Sequence, residues 1–334
     1  MPTLCVNTPG SKVRLVSERL EIHATDPDTG TASVRVAPLR DLDRVLLQES
    51  AQISSEAMAA LLRADIPVAY LGWNGKFLGG FQPTSPSHGA WRMRHYQSQL
   101  DPAFALTLAG RIIAAKLYNQ RRVLQRMAAS RQMDLTPALD HLGSLLNDLS
   151  RASTIDELRG YEGTAAARYF TAWAAFLPPG FPFERRSTRP PLNPVNACLS
   201  FGSVLLYNEM TSALHACGLD PALGLLHTTE DRRWSLALDL MEPFRPVLVE
   251  ALALDLFTHQ MLAEKHFRPH DGGVYLSDEG RAKYLVQYER RMERQFMSEC
   301  VGHRTTLRQQ LHAQATLFKA ALADITRFEP FLMN

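Results

Sequence analysis

Three side chains that could bind a metal ion lie close together in one otherwise apolar segment. His227 ends the turn Gly224-Leu225-Leu226-His227, and Asp239 and Glu242 follow in the next apolar run. One imidazole and two carboxylates are ligands that suit Mg²⁺ or Mn²⁺, and the imidazole favours Mn²⁺. The alternative is structural: a satisfied core histidine, with Asp239 as a helix cap and Glu242 as the third helical residue.

A further carboxylate, Glu162, lies upstream between Gly160 and Gly163, and three alanines follow it. Small residues let another helix approach closely, so a carboxylate on that face would be partly buried and would need a cation or hydrogen-bond donors. Alternatively, Glu162 is an acid in the first helical turn that interacts with the helix dipole. Together with His227 and Glu242 it would bind an ion that polarises a phosphodiester oxygen.

Basic residues near this segment suggest an anionic substrate. Arg185, Arg186 and Arg189 lie in a proline-rich loop, and arginine binds phosphate through two hydrogen bonds. We predict that these three residues and Arg245 bind DNA; the alternative for the loop is a solvated surface. A second basic group lies on the helix expected from Asp101, and it is either a solvated face or a stripe along a phosphate backbone. Its members are Arg111, Lys116, Arg121, Arg122, Arg126 and Arg131.

The patterns of polar and apolar residues predict an α+β protein with two domains. The chain has 334 residues, which is long for a single domain. Residues 1–85 show the period-two alternation of strands, as in Lys12–Val16, and include one amphipathic helix near Ser54–Ala64. Residues 90–334 follow helical periodicity and are predicted to be all-α. The Pro-, Ser- and Gly-rich stretch from 82 to 89 is the predicted linker.

Helix start signals are clear in the second part of the chain. Asp101-Pro102 and Asn193-Pro194 each combine a capping side chain with proline at the first helical position. Thr154 begins a capping-box pattern. The helix from Asn193 is predicted to end at Gly218. Beyond residue 247 the chain is predicted to be mostly helical, with a loop near 266–273.

Composition excludes several classes of protein. The four cysteines lack CxxC spacing, which argues against a zinc ribbon and a disulfide scaffold. No signal-peptide core and no run of roughly 18 apolar residues is present, so we expect a cytoplasmic protein. The net charge of +2 does not by itself indicate a nucleic-acid partner. No Walker loop, nucleophile elbow or HExxH motif occurs.

Four ordered motifs resemble those of the CRISPR-associated integrase, the larger, metal-dependent subunit of the spacer-acquisition complex. They read ELRGYEGTAAARYF, RRSTRPPLNPVNACLSFG, GLDPALGLLH and SLALDLMEPFRP, and KLYNQRRVLQR is also similar to the family. The resemblance covers essentially the whole chain. Pro243 departs from it, since some relatives carry an acidic or polar residue at that position.

The resemblance implies a β-rich dimerisation domain at 1–85 and a helical, metal-dependent catalytic domain at 90–334. It implies that Glu162, His227 and Glu242 are the catalytic metal ligands and that Asp239 supports them. It also implies joining of DNA fragments to a repeat array by 3′-hydroxyl attack. The implied partners are double-stranded DNA, a second copy of the chain and a small ferredoxin-like companion protein.

The leading hypothesis is therefore a metal-dependent DNA endonuclease and integrase that uses Mg²⁺ or Mn²⁺. A DNA-binding scaffold without its own chemistry is one alternative, and the intact set of ligands argues against it. A metal-dependent phosphohydrolase of small molecules is another. The spread of arginines over several segments favours an extended polymer over such a substrate.

Overall fold

The computed structural model describes residues 3–6, 8–25, 30–42, 44–72, 77–81, 83, 89–298 and 302–334. The chain divides into two compact units, Met1–Pro86 and Ser87–Asn334. Most of the predicted linker, residues 82 and 84–88, lies outside the described residues.

The first unit is rich in strands, as predicted. Its elements are β1 (Thr3–Val6), β2 (Lys12–Val16), β3 (Arg19–Thr25), β4 (Ala32–Pro38), β5 (Arg44–Gln48), β6 (Gln52–Ile53), α1 (Ser55–Arg63), β7 (Val68–Leu71) and β8 (Phe77–Phe81). The described residues form one sheet of order β1-β5-β7-β8 and a second of order β4-β3-β2-β6. β1, β5 and β7 run parallel, whereas β2, β3 and β4 form an antiparallel meander.

Alternating side chains from both sheets build the core of the first unit. Val13, Leu20 and Ile22 are buried on β2 and β3, and Val68 and Leu61 join them from β7 and α1. Each fully buried side chain of this size contributes about 1.5–3 kcal/mol. The alternate apolar residues that predicted these strands are thus the residues that make the core contacts.

The second unit is mostly helical. Its helices are α2 (Gly89–Gln99), α3 (Pro102–Arg131), α4 (Thr136–Asp148), α5 (Ile155–Ala174), α6 (Pro194–Ala216), α7 (Ser235–Met241), α8 (Ala251–Thr258), α9 (Asp278–Glu293) and α10 (Leu307–Ala321). The predicted caps at Asp101, Thr154 and Asn193 are confirmed, since each side chain accepts a backbone N–H of the first turn. Gly218 follows α6 with a φ of 70°, as predicted. Of the helices described, none has the length and apolar character needed to cross a membrane.

The prediction that the second domain is all-α is wrong. Its described residues include two short antiparallel hairpins, β9 (Phe267–His270) with β10 (Gly273–Leu276), and β11 (Phe296–Ser298) with β12 (His303–Thr305). The predicted loop near 266–273 is the first of these hairpins. Its turn residues, Asp271 and Gly272, both have positive φ, which is the conformation of a tight two-residue hairpin turn.

The backbone after α7 is irregular. A 3₁₀ turn (Glu242–Phe244) and a π-helical segment (Arg245–Glu250) separate α7 from α8. Proline has no N–H to donate to the helical ladder, so Pro243 and Pro246 interrupt the regular hydrogen bonding. π-helical segments are frequent at functional sites.

Asn119 on α3 joins this irregular segment to the C-terminal residues. Its side-chain nitrogen donates to the Pro243 carbonyl (2.7 Å) and the Phe331 carbonyl (3.0 Å). Its oxygen accepts the Met333 N–H (2.7 Å). The Phe331 ring stacks on Phe244, with centroids 4.6 Å apart. The C-terminal residues therefore pack against the backbone next to Glu242.

Asn119→Ala is expected to destabilise the second unit by about 3 kcal/mol, because it leaves buried backbone groups without partners. For a unit of this size, that loss lowers the Tm by roughly 6–12 °C. Asn147→Ala, at an exposed position of α4, is the matched control and should change stability by less than about 0.5 kcal/mol. Equal melting temperatures for the two variants would contradict the role given to Asn119.

Candidate active site

Two glutamates from separate elements converge on one ammonium group. Glu162 lies on α5, Glu242 begins the 3₁₀ turn after α7, and Lys116 lies on α3 between them. The Lys116 Nζ atom is 2.5 Å from Glu242 Oε2 and also contacts Glu162 Oε1. The side chains of Glu242 and Lys116 are buried, at 3% and 7% exposure, whereas that of Glu162 is 20% exposed.

Charges around Glu242 keep this buried acid ionised. Burial alone would raise its pKa, but the positive charges of Arg245 and Lys116 outweigh burial and hold the pKa well below its usual range. Arg245 donates to Glu242 Oε1 at 2.8 Å. The two oxygens of Glu242 therefore face different cations, Oε1 facing Arg245 and Oε2 facing Lys116.

Lys116 also remains charged in this setting. Burial lowers the pKa of its ammonium, but the carboxylates of Glu242 and Glu162 raise it by more, so the net shift is upward. A buried charge is stable only with such partners. Lys116 belongs to the basic stripe predicted for α3, and nothing in the spacing within that helix distinguishes it from the arginines of the stripe.

Asp239 holds His227 in position. The Asp239 side chain is fully buried inside α7, and its carboxylate accepts the backbone N–H groups of Leu225 (2.5 Å), Leu226 (3.0 Å) and His227 (2.9 Å). It also lies 2.6 Å from His227 Nδ1. Because Nδ1 is engaged, Nε2 is the ring nitrogen through which His227 can bind a ligand. The alternative in which Asp239 caps its own helix is wrong, since Asp239 lies within α7.

The electrostatic environment of His227 connects it to both glutamates. Burial lowers the pKa of the imidazole, but the hydrogen bond and charge of Asp239 raise it, as do the charges of Glu242 and Glu162. The net effect is a raised pKa. His227 thus lies in the negative field of the same acids that hold Lys116.

Arg159 is a site residue that sequence reasoning missed. Its guanidinium donates from Nε (3.0 Å) and from a terminal nitrogen (2.6 Å) to the Leu226 carbonyl, and it also reaches the Thr228 hydroxyl (3.0 Å). Arg159 precedes Glu162 by three residues on α5, so the two share a helix face. That spacing is the signal that could have identified it. One helix thereby supplies Glu162 and braces the loop of His227.

The four arginines predicted to bind DNA fall into two groups. Arg185 and Arg189 are exposed. Arg186 is half-buried and donates to Asn196 Oδ1 (2.9 Å), the Ser187 carbonyl (2.6 Å) and Ser200 Oγ (3.1 Å). Arg245 is paired with Glu242. The first two are therefore accessible to solvent, whereas Arg186 and Arg245 are engaged within the protein.

Several arginines of the predicted α3 stripe bind backbone carbonyls. Arg111 donates to the carbonyls of Ile325 (2.6 Å) and Phe328 (3.1 Å). Arg121 donates to Leu139 (3.1 Å), and Arg131 donates to Phe176 (2.5 Å). These contacts favour a structural role for those residues over a stripe along a phosphate backbone.

The donor chemistry suits a divalent cation. Among the described residues, no group of three or more His, Cys, Asp or Glu side chains is arranged to hold a metal ion. A cation nevertheless lies where Glu162 and Glu242 converge, and it is the ammonium of Lys116. Two carboxylates that share a cation, and an imidazole that lies in their electrostatic field and is oriented by a buried carboxylate, are the types of ligand that suit Mg²⁺ or Mn²⁺.

Comparison with known proteins identifies relatives along most of the chain. A family model described as CRISPR associated protein Cas1 matches residues 4–290. A CRISPR-associated endonuclease Cas1 of Thermus thermophilus is 33% identical over 298 residues, which cover 89% of this chain and 88% of that protein. A Cas4 exonuclease/Cas1 endonuclease fusion of Rhodospirillum rubrum is 33% identical over 96% of this chain, and the chain spans 56% of its length.

Solved structures share the fold. A casposase bound to its integration product superimposes with a TM-score of 0.86 at 23% identity, over 97% of this chain and 91% of that chain. A CAS1 protein from Thermotoga maritima gives a TM-score of 0.80 at 23% identity over 100% of both chains. A Cas6-RT-Cas1–Cas2 complex gives 0.80 at 26% identity, over 100% of this chain and 36% of that chain.

Gly224→Ala is expected to displace the loop that carries His227. An added Cβ at Gly224 would lie 2.1 Å from the His227 carbonyl oxygen and 2.5 Å from the Ser235 Cβ. Because the backbone must move to relieve the clash, we expect Gly224→Ala to lower the free energy of unfolding, measured by thermal unfolding, by about 1–3 kcal/mol. Gly160→Ala is the control, because its added Cβ meets nothing within 4 Å in the interior of α5. The free energy of unfolding of that variant should rise by about 0.5–1 kcal/mol. A similar rise for Gly224→Ala would contradict the tight turn.

Proposed function

We propose that this chain, which belongs to the CRISPR-associated Cas1 family, is a metal-dependent DNA endonuclease and integrase. The observation that carries the proposal is the convergence of Glu162 and Glu242 on one cation, beside an imidazole that Asp239 orients. The Thermus relative named as an endonuclease supports the same class of activity. The divalent ion, the detailed reaction and the partners are part of the proposal.

Glu162, Glu242 and the Nε2 atom of His227 are the proposed ligands of Mg²⁺ or Mn²⁺. When bound, such an ion polarises a phosphodiester oxygen and makes a nearby hydroxyl or water more acidic. Asp239 fixes the tautomer and direction of the imidazole, since a carboxylate on one ring nitrogen leaves the other as the ligand. Arg245 holds one oxygen of Glu242 and so limits the directions in which that carboxylate can turn.

The proposed reaction is a transesterification. The 3′-hydroxyl oxygen of an incoming DNA end bonds to the phosphorus of a repeat phosphodiester, and the bond from that phosphorus to the repeat's own 3′-oxygen breaks. The released strand ends in a new 3′-hydroxyl, which takes up one proton, and the attacking hydroxyl loses one. Attack by water in place of the hydroxyl gives endonuclease cleavage.

We assign phosphate binding to Arg185 and Arg189, because both are exposed on the loop that leads into α6. Arg186 and Arg245 are assigned to internal positioning, because Asn196 and Glu242 occupy their guanidinium groups. This revises the prediction that all four contact DNA. Arginine on a proline-rich loop is favourable for phosphate because its planar donors need little further ordering.

The proposed partners are double-stranded DNA, a second copy of this chain that binds through residues 1–85, and a small ferredoxin-like companion protein in the cytoplasm. The solved Cas6-RT-Cas1–Cas2 complex supports a companion of this kind. Residues 90–334 are the proposed catalytic domain. A DNA-binding scaffold without chemistry is the second candidate. Mn²⁺ titration distinguishes the two, because a scaffold would show no Mn²⁺ binding that requires His227.

Glu162→Gln, His227→Ala and Glu242→Gln are each expected to reduce joining of a short duplex into a plasmid by at least about 100-fold with Mn²⁺, because each removes a proposed ligand. DNA binding measured in EDTA should be unchanged. Glu230→Gln is the control, since Glu230 is an exposed acid that pairs with Arg233. Normal joining by His227→Ala would refute the assigned site.

Replacing both Arg185 and Arg189 by alanine should weaken DNA binding and flatten its salt dependence. Two lost phosphate contacts reduce the slope of log affinity against log salt by about 2. Arg186→Ala should instead lower the melting temperature, because Asn196 and Ser200 lose their partner. A slope in the double variant equal to that of the unmodified chain would show that the loop does not contact DNA.

A further inference from the structure

We propose that Lys116 is a resident counter-ion of the active site and that a divalent ion binds by displacing its ammonium from between Glu162 and Glu242. The inference rests on the proposed metal site and adds a residue to its chemistry. Lys116 is then a positioning residue: it neutralises the two carboxylates and holds them together before the ion arrives.

The oxygens of Glu242 are already assigned to two different cations. Arg245 takes Oε1 at 2.8 Å, and Lys116 takes Oε2 at 2.5 Å. A metal ion at Glu242 would therefore bind an oxygen that already faces a cation. Oε2 is the one directed towards Glu162, because Lys116 contacts both Oε2 and Glu162 Oε1. The metal ion and the ammonium thus require the same pair of oxygens.

Charge balance points the same way. Lys116 and Arg245 carry two positive charges, and Glu162 and Glu242 carry two negative charges, so these four groups are neutral together. Adding a divalent ion with both cations in place would put four positive charges around these two carboxylates, with Asp239 and Glu250 as further acids nearby. Departure of the ammonium lowers the positive charge on the oxygens that the ion would share with it.

Lys116 is the cation that can leave. Its ammonium sits at the end of a flexible four-carbon chain with rotatable bonds, whereas a guanidinium is rigid and always charged. Arg245 also faces the buried Glu250, which stabilises it further in place. The backbone of α3 need not move, because Asn119, one turn later, anchors that helix to Pro243 and Phe331.

The first test compares Mn²⁺ binding by the full chain and by Lys116→Met, without DNA. Calorimetry should show at least about tenfold tighter binding for the variant, which corresponds to 1.4 kcal/mol. In EDTA the variant should melt at a lower temperature, because its two carboxylates have lost their cation, and Mn²⁺ should restore the loss. Lys319→Met is the matched control, since Lys319 donates to the Cys217 carbonyl at 2.8 Å and should bind Mn²⁺ as the unmodified chain does.

The second test uses the unmodified chain, so it does not depend on how the variant folds. Modification of Lys116 by an amine-reactive reagent, followed by mass spectrometry, should increase when Mn²⁺ is added. Unchanged modification, or equal or weaker Mn²⁺ binding by Lys116→Met, would overturn the proposal and show that the ammonium stays beside the ion.

A His227→Ala variant separates this proposal from the proposed function. If the unmodified chain binds Mn²⁺ and His227→Ala does not, the metal site stands whatever Lys116 does. If neither the unmodified chain nor Lys116→Met binds Mn²⁺ in a way that depends on His227, both the metal-dependent function and the displacement fail.

Discussion

The structure of the site depends on the burial of one carboxylate. Asp239 is fully buried, and an ionised carboxylate in that position is stable only when hydrogen-bond donors replace its lost water. Three consecutive backbone N–H groups and the imidazole of His227 supply them. The loop must fold around α7 to do so, and Gly224 permits the tight approach. The orientation of His227 is therefore a consequence of satisfying a buried charge.

Helix α3 connects this loop region to the rest of the unit through side chains three residues apart. Lys116 meets the carboxylates, and Asn119 meets the irregular backbone that follows α7. Where prolines interrupt a helical ladder, carbonyl groups lose their usual N–H partners. In this segment the Asn119 side chain donates to the Pro243 carbonyl. One face of α3 therefore supplies a cation to the buried carboxylates and a hydrogen-bond donor to the irregular backbone after α7.

Local signals predicted much of this arrangement, whereas pairings between distant segments were not predictable. The caps at Asp101 and Asn193 depend on residues within one turn, so the sequence states them directly. Lys116 and Glu162 are 46 residues apart, and Asn119 and Pro243 are 124 apart. Helical periodicity within α3 contains no information about either partner. The hairpin at Asp271-Gly272 is different: its turn signal is present in the sequence, but the prediction for this stretch is a loop without strands.

The number of arginines on α3 is a poor guide to DNA binding for a related reason: several of them donate to backbone carbonyls of distant segments. A helix leaves its last carbonyls without N–H partners, and a long cationic side chain from a neighbouring element can satisfy them. Arg131 donates in a similar way to the Phe176 carbonyl just beyond α5, and Arg159 donates to the loop carbonyl of Leu226. A guanidinium that is engaged in this way has fewer donors left for a phosphate group, so the number of arginines in a segment does not measure its capacity to bind a phosphate backbone. In the proline-rich loop the same distinction separates Arg186, which donates to Asn196 and Ser200, from the exposed Arg185 and Arg189.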